Sequence, residues 1–250
     1  MAKLAEGPAY AEEWGYAVAR DGSLTVVGVP GETDTPYYGA AYIYVRVMPA
    51  WSLDAILIPA DATAITCFGA ATAVRGQTVV VGAPCEILPD VIDGSVYVFE
   101  RTVSGHWAQM AKLIADRPDR NPQENDYFGW SVAIDGETIL VGAYNDGADG
   151  AAYVFTRDEA GTWTQSARLT PGDPLAWYFG WSVALYGDIA VIGAPNDFEL
   201  GNYAGSAYVF ERHASGHWSQ TAKLLGDPGG GIDVFGQSVA TGEGLIVIGA

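Results

Sequence analysis

Short apolar runs, rather than helical stripes, organise this chain. Val132-Ala133-Ile134 and Thr138-Ile139-Leu140-Val141 flank the dipeptide Asp135-Gly136. An Asp-Gly pair between two such runs predicts a tight β-hairpin, because both central positions tolerate positive φ. The second run is apolar without alternation in every instance: Val79-Val80-Val81, Ile139 to Val141, Ile189 to Ile192 and Leu245 to Ile248. Strands of that kind must be covered on both faces. A third run carries an aromatic pair, Tyr97 and Phe99, Tyr153 and Phe155, or Tyr208 and Phe210. A fourth opens on Trp51, Trp107, Trp163 or Trp218 and closes on Ala-Lys-Leu or a near relative.

The runs recur as a unit. The segment from Phe128 to Ala143 returns as Phe68 to Ala83, Phe179 to Ala194 and Phe235 to Ala250, and in altered form as Trp14 to Val29. Equivalent positions Ala17, Ala71, Ser131, Ser182 and Ser238 lie 54, 60, 51 and 56 residues apart. A period of this length marks an array of identical supersecondary units. Four short antiparallel strands, buried on both sides and repeated radially, predict an all-β fold of β-propeller blades. A stacked solenoid is the competing geometry, and the aromatic third strands suit wedge-shaped blades better. The expectation is one domain over residues 1–250, with repeats near 14–57, 68–113, 128–169 and 179–224 and a partial repeat at 235–250. Ala2-Lys3-Leu4 matches Ala111-Lys112-Leu113, so residues 1–4 read as an orphan outer strand. About four complete blades with partial ones predict an incomplete or open ring whose unpaired edges invite association.

The Phe-Gly half of the phrase stands at Phe68-Gly69, Phe128-Gly129, Phe179-Gly180 and Phe235-Gly236, with Trp14-Gly15 as a variant. The Gly-Ala-Pro half stands at Gly82-Ala83-Pro84 and Gly193-Ala194-Pro195, and as Gly28-Val29-Pro30 and Gly142-Ala143-Tyr144. These residues resemble the FG-GAP repeat family, the blades of integrin-α-like propellers. The resemblance covers nearly the whole chain and implies a ligand on the face carrying the long loops. Calcium-binding members of that family link the first two strands of a blade by an Asp-rich loop. Here the links are Asp21-Gly22, Arg75-Gly76, Asp135-Gly136, Tyr186-Gly187 and Gly242-Glu243, too short to enclose a cation. The family's calcium sites have no positions to map onto, and no cofactor is expected.

Composition narrows the partners. With 250 residues and 49% apolar content the chain can bury a sizeable core, and no apolar run of about 18 residues is present to span a bilayer. Net charge is −18 with only 12 basic residues. That balance disfavours nucleic acid and anionic membranes, both of which need a basic face. The segments that join the second strand to the third, and one blade to the next, hold 20 of the 30 acidic residues and only two bases, Arg117 and Arg120. All of these segments emerge on one face of the disc, so the formal charge collects there. Acidic loops serve either solubility or recognition of a basic or cation-bridged partner.

Asp116, Asp119, Glu124 and Asp126 share one loop, and Asp146 and Asp149 sit beside glycines in another. The second pair is a weak candidate for a calcium ion. Trp177, Tyr178, Tyr203, Asp197 and Glu199 lie in or next to the same loops and are candidate ligand contacts, with packing against the next blade as the other account. Cys67 and Cys85 flank a hairpin turning at Arg75-Gly76. A disulfide is geometrically conceivable, and two buried thiols acting as small apolar residues are the expectation. His106 and His217 occupy the same repeat position, which points to a turn role, and His213 has no evident Ser or Cys partner. No nucleophile elbow or phosphate loop is present.

The reading carried forward is a non-catalytic extracellular module for binding or adhesion, secreted or on the cell surface. It would present the acidic long-loop face to a protein or carbohydrate ligand. The alternatives are the scaffold or catalytic domain of a secreted hydrolase, and a structural fragment of a larger surface protein. The hydrolase reading requires two loop carboxylates about 5–9.5 Å apart in a cleft.

Overall fold

The computed structural model describes residues 13–31, 39–61, 66–88, 91–117, 125–174, 176–200, 203–226 and 233–250. The orphan strand expected at residues 1–4 lies outside them. Among the described residues every regular element is a strand, and no helix is long and apolar enough to cross a membrane.

The first blade comprises β1 (Ala17–Asp21), β2 (Leu24–Val29), β3 (Ala40–Val47) and β4 (Ala50–Leu57). The second contains β5 (Ala71–Arg75), β6 (Thr78–Ala83), β9 (Ser95–Arg101) and β10 (Trp107–Leu113), with a two-residue hairpin, β7 (Ile87–Leu88) and β8 (Val91–Ile92), inserted between β6 and β9. The third is β11 (Ser131–Asp135), β12 (Thr138–Ala143), β13 (Ala151–Arg157) and β14 (Trp163–Leu169). The fourth is β15 (Ser182–Tyr186), β16 (Ile189–Ala194), β17 (Ser206–Arg212) and β18 (Trp218–Leu225), and β19 (Ser238–Gly242) pairs with β20 (Leu245–Gly249) as a half blade. Each blade is an antiparallel meander with its strands in chain order, and among the described residues no sheet closes on itself.

Burial follows the sequence pattern. Strands β2 and β12 are buried at every residue, and β12 has a neighbouring blade on each face. The apolar core is therefore a series of inter-blade layers. One layer joins Val96 and Val98 of the second blade to Ile139, Tyr153 and Phe155 of the third. First strands of successive blades pack side by side in the order β1, β5, β11, β15, β19. At the two ends of this arc apolar side chains meet solvent: Val18 is 62% exposed and Leu245 63%.

Both halves of the recurring phrase act at the seam between blades. The amide of Gly129 donates to the Gly142 carbonyl at 3.0 Å, and that of Gly180 to Gly193 at 3.1 Å, closing each hairpin within its own blade. The Gly180 carbonyl lies against Gly142 of the preceding blade and accepts the Ser131 hydroxyl at 2.9 Å. Gly69, Gly129, Gly180 and Gly236 all have φ between 92° and 100°, a region closed to side chains. The preceding phenylalanines, Phe68, Phe128 and Phe179, are fully buried against the Tyr and Phe of their own third strand.

Cys67 and Cys85 form a disulfide with a Cα–Cα distance of 5.3 Å. This corrects the expectation of two buried thiols. The hairpin β5–β6 carries both residues to its open end, where the Cys85 amide also donates to Thr66 at 3.2 Å.

Candidate functional site

Long loops leave the second strand of each blade with an acid four residues after the Gly of Gly-Ala-Pro. In the second, third and fourth blades these acids are Glu86, Asp146 and Asp197, and all are buried. Each accepts the hydroxyl of the third-strand tyrosine, Tyr97, Tyr153 or Tyr208. Each is also paired with the base near the end of the fourth strand. Lys112 reaches Glu86 and Asp61, both at 2.6 Å. Arg168 meets Asp146 at 3.1 Å, and Lys223 meets Asp197 at 2.8 Å, Glu199 at 2.5 Å and Asp173 at 3.2 Å.

Burial alone would raise Asp197, but the Lys223, Ser206 and Tyr208 hydrogen bonds outweigh it and hold its carboxyl below the ordinary range. Lys223 and Lys112 are raised, because their carboxylate partners outweigh the desolvation that would lower them. The formal charge of the long-loop face is thus partly neutralised from below. Counting charges by backbone position missed this, since a lysine or arginine stem carries its head one loop away from its strand. The signal was present in the sequence, because Lys112, Arg168 and Lys223 share one repeat position and Tyr97, Tyr153 and Tyr208 another.

The predicted site residues separate into three groups. Asp119 and Glu124 lie outside the described residues, while Asp116 is exposed and its backbone is clasped by the Gln165 side chain at 2.8 Å on both sides. Asp126 and Asp146 are buried on the guanidinium of Arg117, and Asp146 also holds Arg168. Asp146 faces two guanidinium groups where a calcium ligand would need free oxygens, so this loop does not build the calcium site sketched for Asp146 and Asp149. Among the described residues no three His, Cys, Asp or Glu side chains converge as a metal site requires.

The third group forms a surface. Trp177 packs edge-on against Phe198 with ring centroids 5.0 Å apart, and Phe198 lies 5.1 Å from Tyr203. Trp177 and Tyr203 are 47% and 40% exposed. Tyr178 belongs to a second cluster nearer the axis, with Tyr127, Trp130, Tyr144 and Trp181. Within it Tyr127 stacks on Tyr144 at 5.2 Å, and Tyr144 meets Tyr178 at 5.1 Å and Trp181 at 5.0 Å. Burial among these rings pushes the Tyr144 phenol up to about 12.

Asp149 lies on the third-blade loop that meets the connection between the third and fourth blades. Its carbonyl accepts the Phe179 amide at 2.9 Å, which sets it beside the loop carrying Asp173, Trp177 and Tyr178. Burial, and then the charge of Asp173, raise the Asp149 carboxyl above the ordinary range. Asp173 is held by Lys223 and by the Tyr208 hydroxyl at 2.9 Å. Two nearby carboxyls in unlike surroundings are the chemical requirement for splitting acid and base roles. Asp173 was not among the residues read from the sequence, because 24 positions separate it from Asp149 and only the fold brings them together.

On the opposite face His213 Nε2 lies 2.6 Å from Ser219 Oγ, supplying the partner that the sequence did not reveal. The pair is exposed on a turn, and His213 also stacks on His217.

The FG-GAP repeat matches at residues 51–99, 107–155, 163–210 and 218–250. Among solved structures, a protein from Lactobacillus plantarum is similar with a TM-score of 0.57 at 13% identity, over 86% of this chain and 57% of that one. The periplasmic gluconolactonase of Pseudomonas aeruginosa is similar with a TM-score of 0.53 at 14% identity, over 86% of this chain and 58% of that one. The chain thus spans less than two thirds of the length of either structure. A comparison with curated protein sequences finds no match. The expectation of a non-catalytic adhesion module is corrected by the second structure, in which a propeller of this shape belongs to an enzyme. Absence of catalysis does not follow from the fold. The chain belongs to the FG-GAP repeat family.

Proposed function

We propose that this chain supplies the propeller of a hydrolase whose reaction centre lies where the loops of the third and fourth blades meet. Asp149 is the proton donor and Asp173 the partner carboxylate. The observation that carries this reading is the hydrogen bond from the Phe179 amide to the Asp149 carbonyl, which brings the Asp149 loop against the loop carrying Asp173 and the exposed Trp177, with the Asp149 carboxyl raised by burial and then by the charge of Asp173. In the reaction, water attacks the electrophilic carbon and passes a proton to Asp173. The bond to the leaving oxygen breaks, and that oxygen takes the proton of Asp149. The scheme serves an acetal or an ester ring equally. The gluconolactonase supports the reading through a shared scaffold, while the residues that would do the chemistry come from this chain alone. The Cys67–Cys85 disulfide fits an oxidising compartment, in keeping with a secreted or cell-surface setting.

The test is hydrolysis of δ-gluconolactone and a panel of nitrophenyl glycosides. Asp149→Asn should lower the rate on the accepted substrate about 10²- to 10⁴-fold, and Asp116→Asn, on an exposed neighbouring loop, should leave it unchanged. No turnover of any of these compounds by the parent protein, or equal loss in both variants, would overturn the proposal.

A further inference from the structure

The aromatic residues of this face break the symmetry of the repeat. The position before the phrase's Phe is Cys67 in the second blade and Val234 in the half blade, but Tyr127 and Tyr178 in the third and fourth. The position after its Gly is Ala70 and Gln237 there, but Trp130 and Trp181 here, and Tyr144 stands where Pro84 and Pro195 occur. A ring needed only to pack a blade would recur in each blade, as Phe68, Phe128 and Phe179 do. Apart from Tyr16, which follows Gly15 in the first blade, these rings collect at the two adjacent blades whose loops carry Asp149 and Asp173.

They also make one surface. Tyr178 in the axial cluster and Trp177 in the outer one are consecutive residues, so the two clusters adjoin on the loop that enters the fourth blade. Tyr127 stacks on Tyr144 and Tyr178 on Trp181, Trp177 meets Phe198 edge-on, and the outermost rings, Trp177 and Tyr203, keep 47% and 40% of their surface in solvent. A cage would suit a quaternary ammonium group, whereas an open strip of ring faces suits a flat, extended ligand with apolar C–H faces and polar edges. The net charge of −18 disfavours an anionic polymer. The Tyr144 phenol is neutral at ordinary pH, and burial raises it further.

We infer that the ligand of this face is a neutral oligosaccharide, stacked along the strip formed by the axial ring cluster, Trp177, Phe198 and Tyr203. This rests on the reading of Asp149 and Asp173 as the reaction centre, past which the strip would lead the sugar chain. Stacking on successive rings makes affinity grow with the number of sugar units. The polar edges of the ligand remain available to the loop carboxylates.

The experiment is calorimetric titration of Asp149→Asn protein, which should bind without turnover, with neutral cello-, xylo- and malto-oligosaccharides of one to six units. Affinity should climb with length for one of these series. Trp177→Ala and Tyr203→Ala should each weaken the longest ligand roughly tenfold, and Trp181→Phe, which keeps a ring in place, should weaken it less. Length-independent binding, no binding of any neutral series, or an unchanged affinity in Trp177→Ala would overturn the inference. Length-dependent binding with no hydrolysis by the parent protein would uphold the strip and remove the reaction centre. Hydrolysis of δ-gluconolactone without length-dependent binding would remove the strip alone.

Discussion

Gly142 faces Gly180 across the seam of the third and fourth blades so closely that a Cβ on Gly142 would overlap the Gly180 carbonyl oxygen and the Ser131 hydroxyl. Gly142 has no positive φ, so its requirement is space alone. Gly142→Ala should therefore cost about 2–3 kcal/mol through overpacking of a rigid backbone seam. Gly136→Ala, at a turn with φ of 54° and open space around it, should cost only about 1 kcal/mol. Urea denaturation of both variants checks the order, and an equal loss would show that the seam is not close-packed.

Lys223 and Asp197 are coupled in the interior, with side chains 15% and 1% exposed. Lys223→Met should destabilise by about 3–5 kcal/mol, because it strands a buried carboxylate without its cation. Asp188→Ala removes the partner of Arg212, and Asp188 is 65% exposed. That change should cost at most about 0.5 kcal/mol. Thermal melts of the two variants side by side measure the contrast.

The same networks set the pH dependence of stability. Asp197 and Asp61 are lowered, so their contribution is full above the unfolded carboxylate value of about 3.9 and is lost as pH falls through their folded values. Lys112, Lys223, Tyr97, Tyr153 and Tyr208 are raised, so theirs is full below about pH 10 and is lost as pH rises beyond it. Tm should be level from about pH 5 to 9 and fall on both sides. Relief of the acidic excess alone would instead place the maximum near the isoelectric point of 4.2.

The disulfide joins residues 18 apart in sequence. Its reduction, or the pair Cys67→Ser and Cys85→Ser, should cost about 3 kcal/mol through the freedom regained by the unfolded chain. A melt with and without reductant reads the shift directly.

The fold was legible because its evidence is periodic. Turn dipeptides, apolar second strands and the Phe-Gly and Gly-Ala halves recur in register, and each is a local backbone requirement that sequence states openly. The site was less legible because its evidence is not periodic. Asp146 and Asp197 read as exposed acids by loop position, and only the side-chain reach of Arg168 and Lys223 shows them to be structural. Asp149 and Asp173 belong to different blades, and nothing in either loop marks the other as a neighbour. Trp177, Tyr178 and Tyr203 were visible as candidates, yet Phe198, which joins Trp177 to Tyr203, passed as an ordinary loop residue.

Asp149 also offers a test that separates chemistry from stability. Its raised carboxyl is a burial cost to the folded protein at neutral pH, so Asp149→Asn should keep or slightly raise Tm while removing activity. The most direct measurement is the pH dependence of kcat/KM on the accepted substrate for the parent protein and Asp149→Asn. As a general acid, Asp149 must be protonated, so the parent should lose activity as pH rises through its raised value and work best on the acid side. The variant should lack that descending limb and lie about 10²- to 10⁴-fold lower. A descending limb that survives unchanged in Asp149→Asn would contradict the account.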